Sequence, residues 1–108
     1  MNVILENSTA RNIGTSPVTV YTVPAATTSH IVSCRVCNTT SGELPISVYV
    51  SNNAGNTFLA KNLLVPKGES VNVLKDGKII LLETESIICV AGDANSFDCI
   101  ISIMETDQ

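Results

Sequence analysis

Apolar and polar residues alternate with a period of two, cut by turn residues about every ten positions, and this limits the chain to strands. Residues 18–37, VTVYTVPAATTSHIVSCRVC, show the pattern first. β-Branched and aromatic residues fill 18–23, a composition that suits a pleated surface. Pro24 stops the run, because it donates no ladder hydrogen bond and fixes its own φ, and residues 25–28 turn the chain. The period returns over 31–36, with Val32, Cys34 and Val36 on one face and Ser33 and Arg35 on the other. The stretch reads as a hairpin with one face turned inward.

The same grammar runs to the end of the chain. Ile46, Val48 and Val50 alternate with Ser47, Tyr49 and Ser51, and Asn52-Asn53-Ala54-Gly55-Asn56 is turn chemistry. Residues 57–65 are apolar but aperiodic and stop at Pro66-Lys67-Gly68; Val71 and Val73 resume the alternation, and Asp76-Gly77 suits a tight turn. Residues 78–82, 86–91 and 97–104 complete the strands, with 92–95 joining the final pair. The sequence predicts an all-β, antiparallel β-sandwich of jelly-roll-like type with eight or nine short strands. Its expected core is Val20, Val32, Cys34, Val36, Ile46, Val48, Val71, Val73, Cys89 and Ile101. Residues 1–17 are expected to form an N-terminal arm or edge strand, with Val3 to Leu5 pairing at an edge or docking on a neighbour and 7–16 as loop. Residues 18–108 form the sandwich domain.

Composition removes several classes of function. With 108 residues, 44% of them hydrophobic and 15% charged, the chain can bury a core as one domain. A net charge of −4 with six scattered Lys plus Arg, no Trp and four other aromatic residues argues against nucleic acid as a partner. No stretch reads as a signal peptide or a membrane span, so the expectation is a chain kept in the cytosol with reduced thiols and no membrane partner.

No catalytic pattern is present. Cys34-Arg35-Val36-Cys37 has the C-x-x-C spacing of redox and zinc sites, yet on a strand positions three apart point to opposite faces. Buried, inert thiols are the expectation for all four cysteines, with no disulfide and no metal. His30, the single histidine, is placed on the face of Cys34, but about 13 Å of strand separates them, too far for a Cys–His pair. Glu83, Glu85, Asp93 and Asp98 crowd the later turns and read as solvated charges rather than calcium ligands. The protein is expected not to be an enzyme and to need no cofactor.

Two segments break the half-buried pattern: Ile79-Ile80-Leu81-Leu82 and Ile87-Ile88-Cys89-Val90 are apolar on both faces. A strand of a lone antiparallel sandwich should wet one side. Either a loop or the N-terminal segment covers the surplus face, or a subunit or partner does.

Val20-Tyr21-Thr22-Val23-Pro24-Ala25, then IVSCRVCN over 31–38, then Leu59-Ala60-Lys61-Asn62 and Pro66-Lys67-Gly68-Glu69-Ser70 resemble small virion proteins of tailed bacteriophages. The likeness spans residues 18–105; Ala26 stands where Gly is usual, and Thr84-Glu85 replaces a Gly-Asp turn. The resemblance implies a capsid decoration (cement) protein assembled in the host cytoplasm into the virion. It would bind the major capsid protein or other virion proteins, commonly as a homo-oligomer, with a trimer expected. A tail, neck, baseplate or fibre part is the alternative, and a receptor- or glycan-binding module a third. Aligned this way, Ile80, Leu82, Ile87 and Cys89 face inward. The outward set, Ile79, Leu81, Ile88 and Val90 on a 78–91 hairpin, joins Val3 and Leu5 as the expected interface.

Overall fold

Nine strands carry the alternation: β1 (Val3–Ile13), β2 (Val18–Thr22), β3 (Thr27–Asn38), β4 (Leu44–Asn52), β5 (Gly55–Val65), β6 (Ser70–Asn72), β7 (Ile79–Leu81), β8 (Ser86–Ala91) and β9 (Phe97–Asp107). The computed structural model describes residues 2–75 and 77–107, so the expected turn at Asp76 lies partly outside the described residues.

Two antiparallel sheets face each other. Sheet A runs β1-β9-β3-β6, with β7 also on β3, and sheet B runs β2-β8-β4-β5. β6 and β7 pair with opposite ends of β3, Arg35–Cys37 and Ser29–Ile31, and so act as two pieces of one edge strand. With those pieces counted as one, the order is that of the eight-stranded jelly roll, in which the chain repeatedly crosses between sheets.

This topology corrects two local expectations. Residues 18–37 are not a hairpin, because β2 pairs with β8 while β3 pairs with β9. Residues 78–91 are not one either, because β7 lies in sheet A and β8 in sheet B. Pro24, and Ala26 at φ 56, mark an arch between sheets rather than a turn within one. Only β4 and β5 pair as sequence neighbours, across the Asn52–Gly55 turn. The expected loop over 7–16 also shrinks: β1 runs to Ile13, whose side chain is fully buried.

The inward faces meet in one core that includes Ile13, Val23, Ile31, Cys34, Val36, Ile46, Val48, Ile87, Phe97 and Ile101. Val32 does not join it. The β3–β9 register skips one residue between Ile31 and Ser33, and this bulge leaves Val32 43% exposed while Ile31 takes the inward place. Asn38 closes the far end of β3 as a buried clamp. Its amide donates to the carbonyls of Gly42 and Val65, and its side-chain oxygen accepts from Thr40.

Candidate assembly surface

Opposed residues of an antiparallel pair share a face, so the registers fix what sheet A shows to solvent. Leu5 lies opposite Met104, Met104 opposite His30, and His30 opposite Ile80. These four form one row across β1, β9, β3 and β7, on the side away from the core. Leu5 is 76% exposed and Ile80 61%. Val3, Val32 and Leu82 are also exposed and extend the row into an apolar patch. At its centre the His30 Nδ1 is shielded from solvent and has no hydrogen-bond partner among the described residues.

The other half of the same face is polar. Thr9, Ile100, Arg35 and Asn72 make one row, and Asp98, Cys37 and Ser70 another. A shallow concavity of about 250 Å³ lies there, between Arg11, Arg35, Cys37 and Asp98.

The outer face of sheet B carries a different row: Thr19, Ile88, Tyr49 and Phe58. The Tyr49 and Phe58 rings lie 5.1 Å apart, tilted by 48°, and the Lys61 ammonium sits 5.1 Å from the Phe58 centroid. Tyr21 and Phe97 are interior, so this tilted pair is what remains of an aromatic surface.

The residues expected to face outward do so only in part. Val3 and Leu5 are exposed, and Ile88 and Val90 are half-buried on the outer face of sheet B. Ile79 and Leu81 point the other way: Leu81 is 3% exposed and Ile79 packs against the core, while Ile80 and Leu82 face solvent. The cause is register, since Leu81 and Ile79 pair with Ser29 and Ile31, both turned inward on β3. Four consecutive apolar residues carry no period, so nothing in the segment itself sets its parity.

The chain folds like several solved proteins of very different sequence. It resembles a chain of the T13 particle of infectious bursal disease virus, with TM-score 0.60, 10% identity, and coverage of 98% of this chain and 31% of that one. It resembles the acid-stable capsid of Helicobacter pylori bacteriophage KHP30, with TM-score 0.57, 10% identity, and coverage of 98% and 94%. It also resembles the Drosophila NLP core, described for pentamer formation and histone binding, with TM-score 0.52, 14% identity, and coverage of 99% and 100%. The chain therefore spans about a third of the first of these and nearly all of the other two. No protein-family model matches the sequence, and no curated protein matches it. These likenesses establish the fold.

Cys34 and Cys37 do lie on opposite faces, Cys34 in the core and Cys37 half-buried outside. The bulge at Val32 sends His30 and Cys34 to opposite faces too, which corrects their expected shared face. Cys34, Cys89 and Cys99 are buried between the sheets, where the proximity of Cys99 and burial hold the Cys34 and Cys89 thiols above the ordinary range. No three His, Cys, Asp or Glu among the described residues are placed to hold a metal ion.

The turn carboxylates cap backbone. Glu83 accepts from the Ala26 N–H at 2.7 Å, Glu85 from the Leu82 N–H at 2.8 Å, Asp93 from the Ala94 N–H at 2.9 Å, and Asp98 from the Asn12 N–H at 3.1 Å.

One buried polar cluster carried no signal in the sequence. Glu105 is buried and accepts the Tyr21 hydroxyl hydrogen bond, and the Ser29 hydroxyl lies 2.5 Å from the same Tyr21 oxygen. Glu6 joins from β1. Glu6 is itself exposed; a hydrogen bond to the Glu105 carboxyl raises its pKa above 4.5, and slight desolvation and the like charge act in the same direction.

Proposed function

We propose that this chain is a virion structural protein, and specifically a capsid decoration protein that docks through the apolar half of the outer face of sheet A. The observation that carries this reading is the row Leu5–Met104–His30–Ile80, an apolar strip on a sandwich whose interior is already filled. A monomer gains nothing from Leu5 and Ile80 at 76% and 61% exposure, whereas an assembled particle would bury them. Each such side chain taken out of water is worth about 1.5–3 kcal/mol. Val3, Leu5, Val32, Ile80 and Leu82 together could offset the several kcal/mol lost in association.

The fold supports the same reading. A small jelly roll suits a scaffold part, and the capsid of bacteriophage KHP30 shares the architecture over 94% of its chain. Its partner would be the major capsid protein, and its location the virion.

Two measurements test this. Quantitative mass spectrometry of purified particles should find hundreds of copies per virion, while a dozen or fewer would place the protein in the tail or neck. The double variant Ile80→Ser with Leu82→Ser should fold normally yet fail to bind particles stripped of the protein. Unchanged binding would remove the sheet A surface from the proposal.

A further inference from the structure

A sandwich has four lateral edges, and three of these are blunted. β6 and β7 have three residues each. β2 has five, lies between Pro17 and Pro24, and is bulged between Thr19 and Tyr21. β5 is longer, but its register against β4 shifts twice, Asn62 sits at φ 52, and Lys61 stands beside it. Short length, bulges, Pro and Lys are the devices that stop an edge from pairing with another chain.

β1 has one such device before Arg11, the inward-pointing charge of Glu6 opposite buried Ile103, and lacks the others over most of its length. From Val3 to Ala10 it runs in unbroken register with β9, with no Pro, no Lys and no bulge before Arg11 and Asn12. Among the described residues its other edge has no strand partner, although the Ser8 hydroxyl donates to the Val20 carbonyl of β2 at 2.6 Å, and Val3 to Asn7 are all exposed. Such an edge is a ready template for one more strand.

We infer that the added strand is the same segment of a second copy, paired antiparallel about a two-fold axis through Leu5. This deepens the assembly reading above and rests on it for biological setting, though not for geometry. A two-fold contact brings each residue against one at a mirrored position. Centred on Glu6, the contact would set two carboxylates side by side, which is unfavourable. Centred on Asn7, it would set Leu5 against Thr9 and Val3 against Arg11. Centred on Leu5, it sets Leu5 against Leu5, Ile4 against Glu6, and Val3 against Asn7, with no like charges opposed.

This register also continues what sheet A already shows. The row Ile80–His30–Met104–Leu5 meets its own copy end to end, giving eight residues across two joined sheets. The apolar patch becomes one continuous surface, broader than either copy presents alone.

Cross-linking tests this directly. Directly opposed antiparallel residues lie about 4.5–5.5 Å apart at Cα, inside the range a disulfide spans. In the full chain with Cys37→Ser, which removes the half-exposed thiol, Leu5→Cys treated with oxidised glutathione should yield a disulfide-linked dimer. Val3→Cys and Asn7→Cys should each stay single, yet link to one another when mixed. Leu5→Lys without any added thiol should halve the mass seen by light scattering. If Leu5→Cys gives no more covalent dimer than Asn7→Cys alone, the edge pairing is wrong. That failure, in a protein still bound to particles through Ile80 and Leu82, would leave the decoration role standing. A dimer in a protein absent from particles would sink that role and keep the pairing.

Discussion

β7 and β8 look alike in sequence and behave differently in the fold. β7 is IIL with Leu82 beyond it, β8 carries the run IICV after Ser86, and both put one set into the core: Ile79 and Leu81 from β7, Ile87 and Cys89 from β8. The outer sets differ. β8 is a central strand between β2 and β4, so Ile88 lies between Thr19 and Tyr49 and is half-covered by its own sheet. β7 is a three-residue edge piece with a neighbour on one side only, and Ile80 and Leu82 remain exposed. A doubly apolar strand is therefore explained by the sheet when it is central, and calls for an outside partner when it is at an edge.

The sharpest way to break this comparison is to truncate the inner set. Leu81→Ala should cost about 2–5 kcal/mol in denaturant unfolding, as cavity-forming core changes do. A loss under about 0.5 kcal/mol, the scale of a surface change, would mean that β7 turns Ile80 inward and Leu81 to solvent. Tyr21→Phe comes next, because it leaves the buried Glu105 carboxyl without its hydroxyl donor; about 1–3 kcal/mol should be lost, read from the same melts. Ile88→Ala should cost about 1 kcal/mol, between a core and a surface change. Ile80→Ala should stay within about 0.5 kcal/mol while weakening assembly, and equal costs at Ile80 and Ile88 would erase the edge-versus-centre distinction.

Thiol reactivity sharpens the inner and outer assignment without changing stability. Cys37 should be the first to react with an exposed-thiol reagent in the native protein, with Cys34, Cys89 and Cys99 protected until unfolding.

The smallest effect is on pH dependence. The Glu6 pKa is raised in the folded chain, so its protonated form is the one folding favours. Its contribution is complete below 4.5 and is lost as pH rises through the raised value. The thermal midpoint should fall slightly over that window, and Glu6→Gln should flatten the slope.

Period-two alternation was enough to read most of the strands, the sandwich and most of the core from residues alone, but it missed β1 beyond Leu5, read as loop, and it is absent from β5. Val32 was misplaced because a bulge adds a residue without marking the sequence. The two expected hairpins failed for a different reason. Pro24 and the turn at Thr84, φ 71, announce that the chain reverses, but not whether it returns to the same sheet or crosses to the other. Partner choice is decided by distant segments such as β9, which no local pattern names. The exposed apolar patch was half legible: Val3 and Leu5 stood out as an apolar segment, while Ile80 and Leu82 could not be told from Ile79 and Leu81. Met104 and His30 join them only because the register lines up four strands.

The pairing of β1 with β9 has a consequence for the order of events at the ribosome. Val3 is opposite Thr106 and Ala10 opposite Cys99, so β1 emerges long before the strand it pairs with. Until β9 leaves the exit tunnel, VILE has no sheet to join, and β3 lacks its central neighbour as well. Sheet B can close earlier, once β8 is out, because β2, β8, β4 and β5 all precede β9. The nascent chain therefore carries a half-built sandwich with a sticky leading segment. Long-range closure of this kind is slow, and crowding of nascent chains would favour strand exchange between neighbours before each has sealed itself.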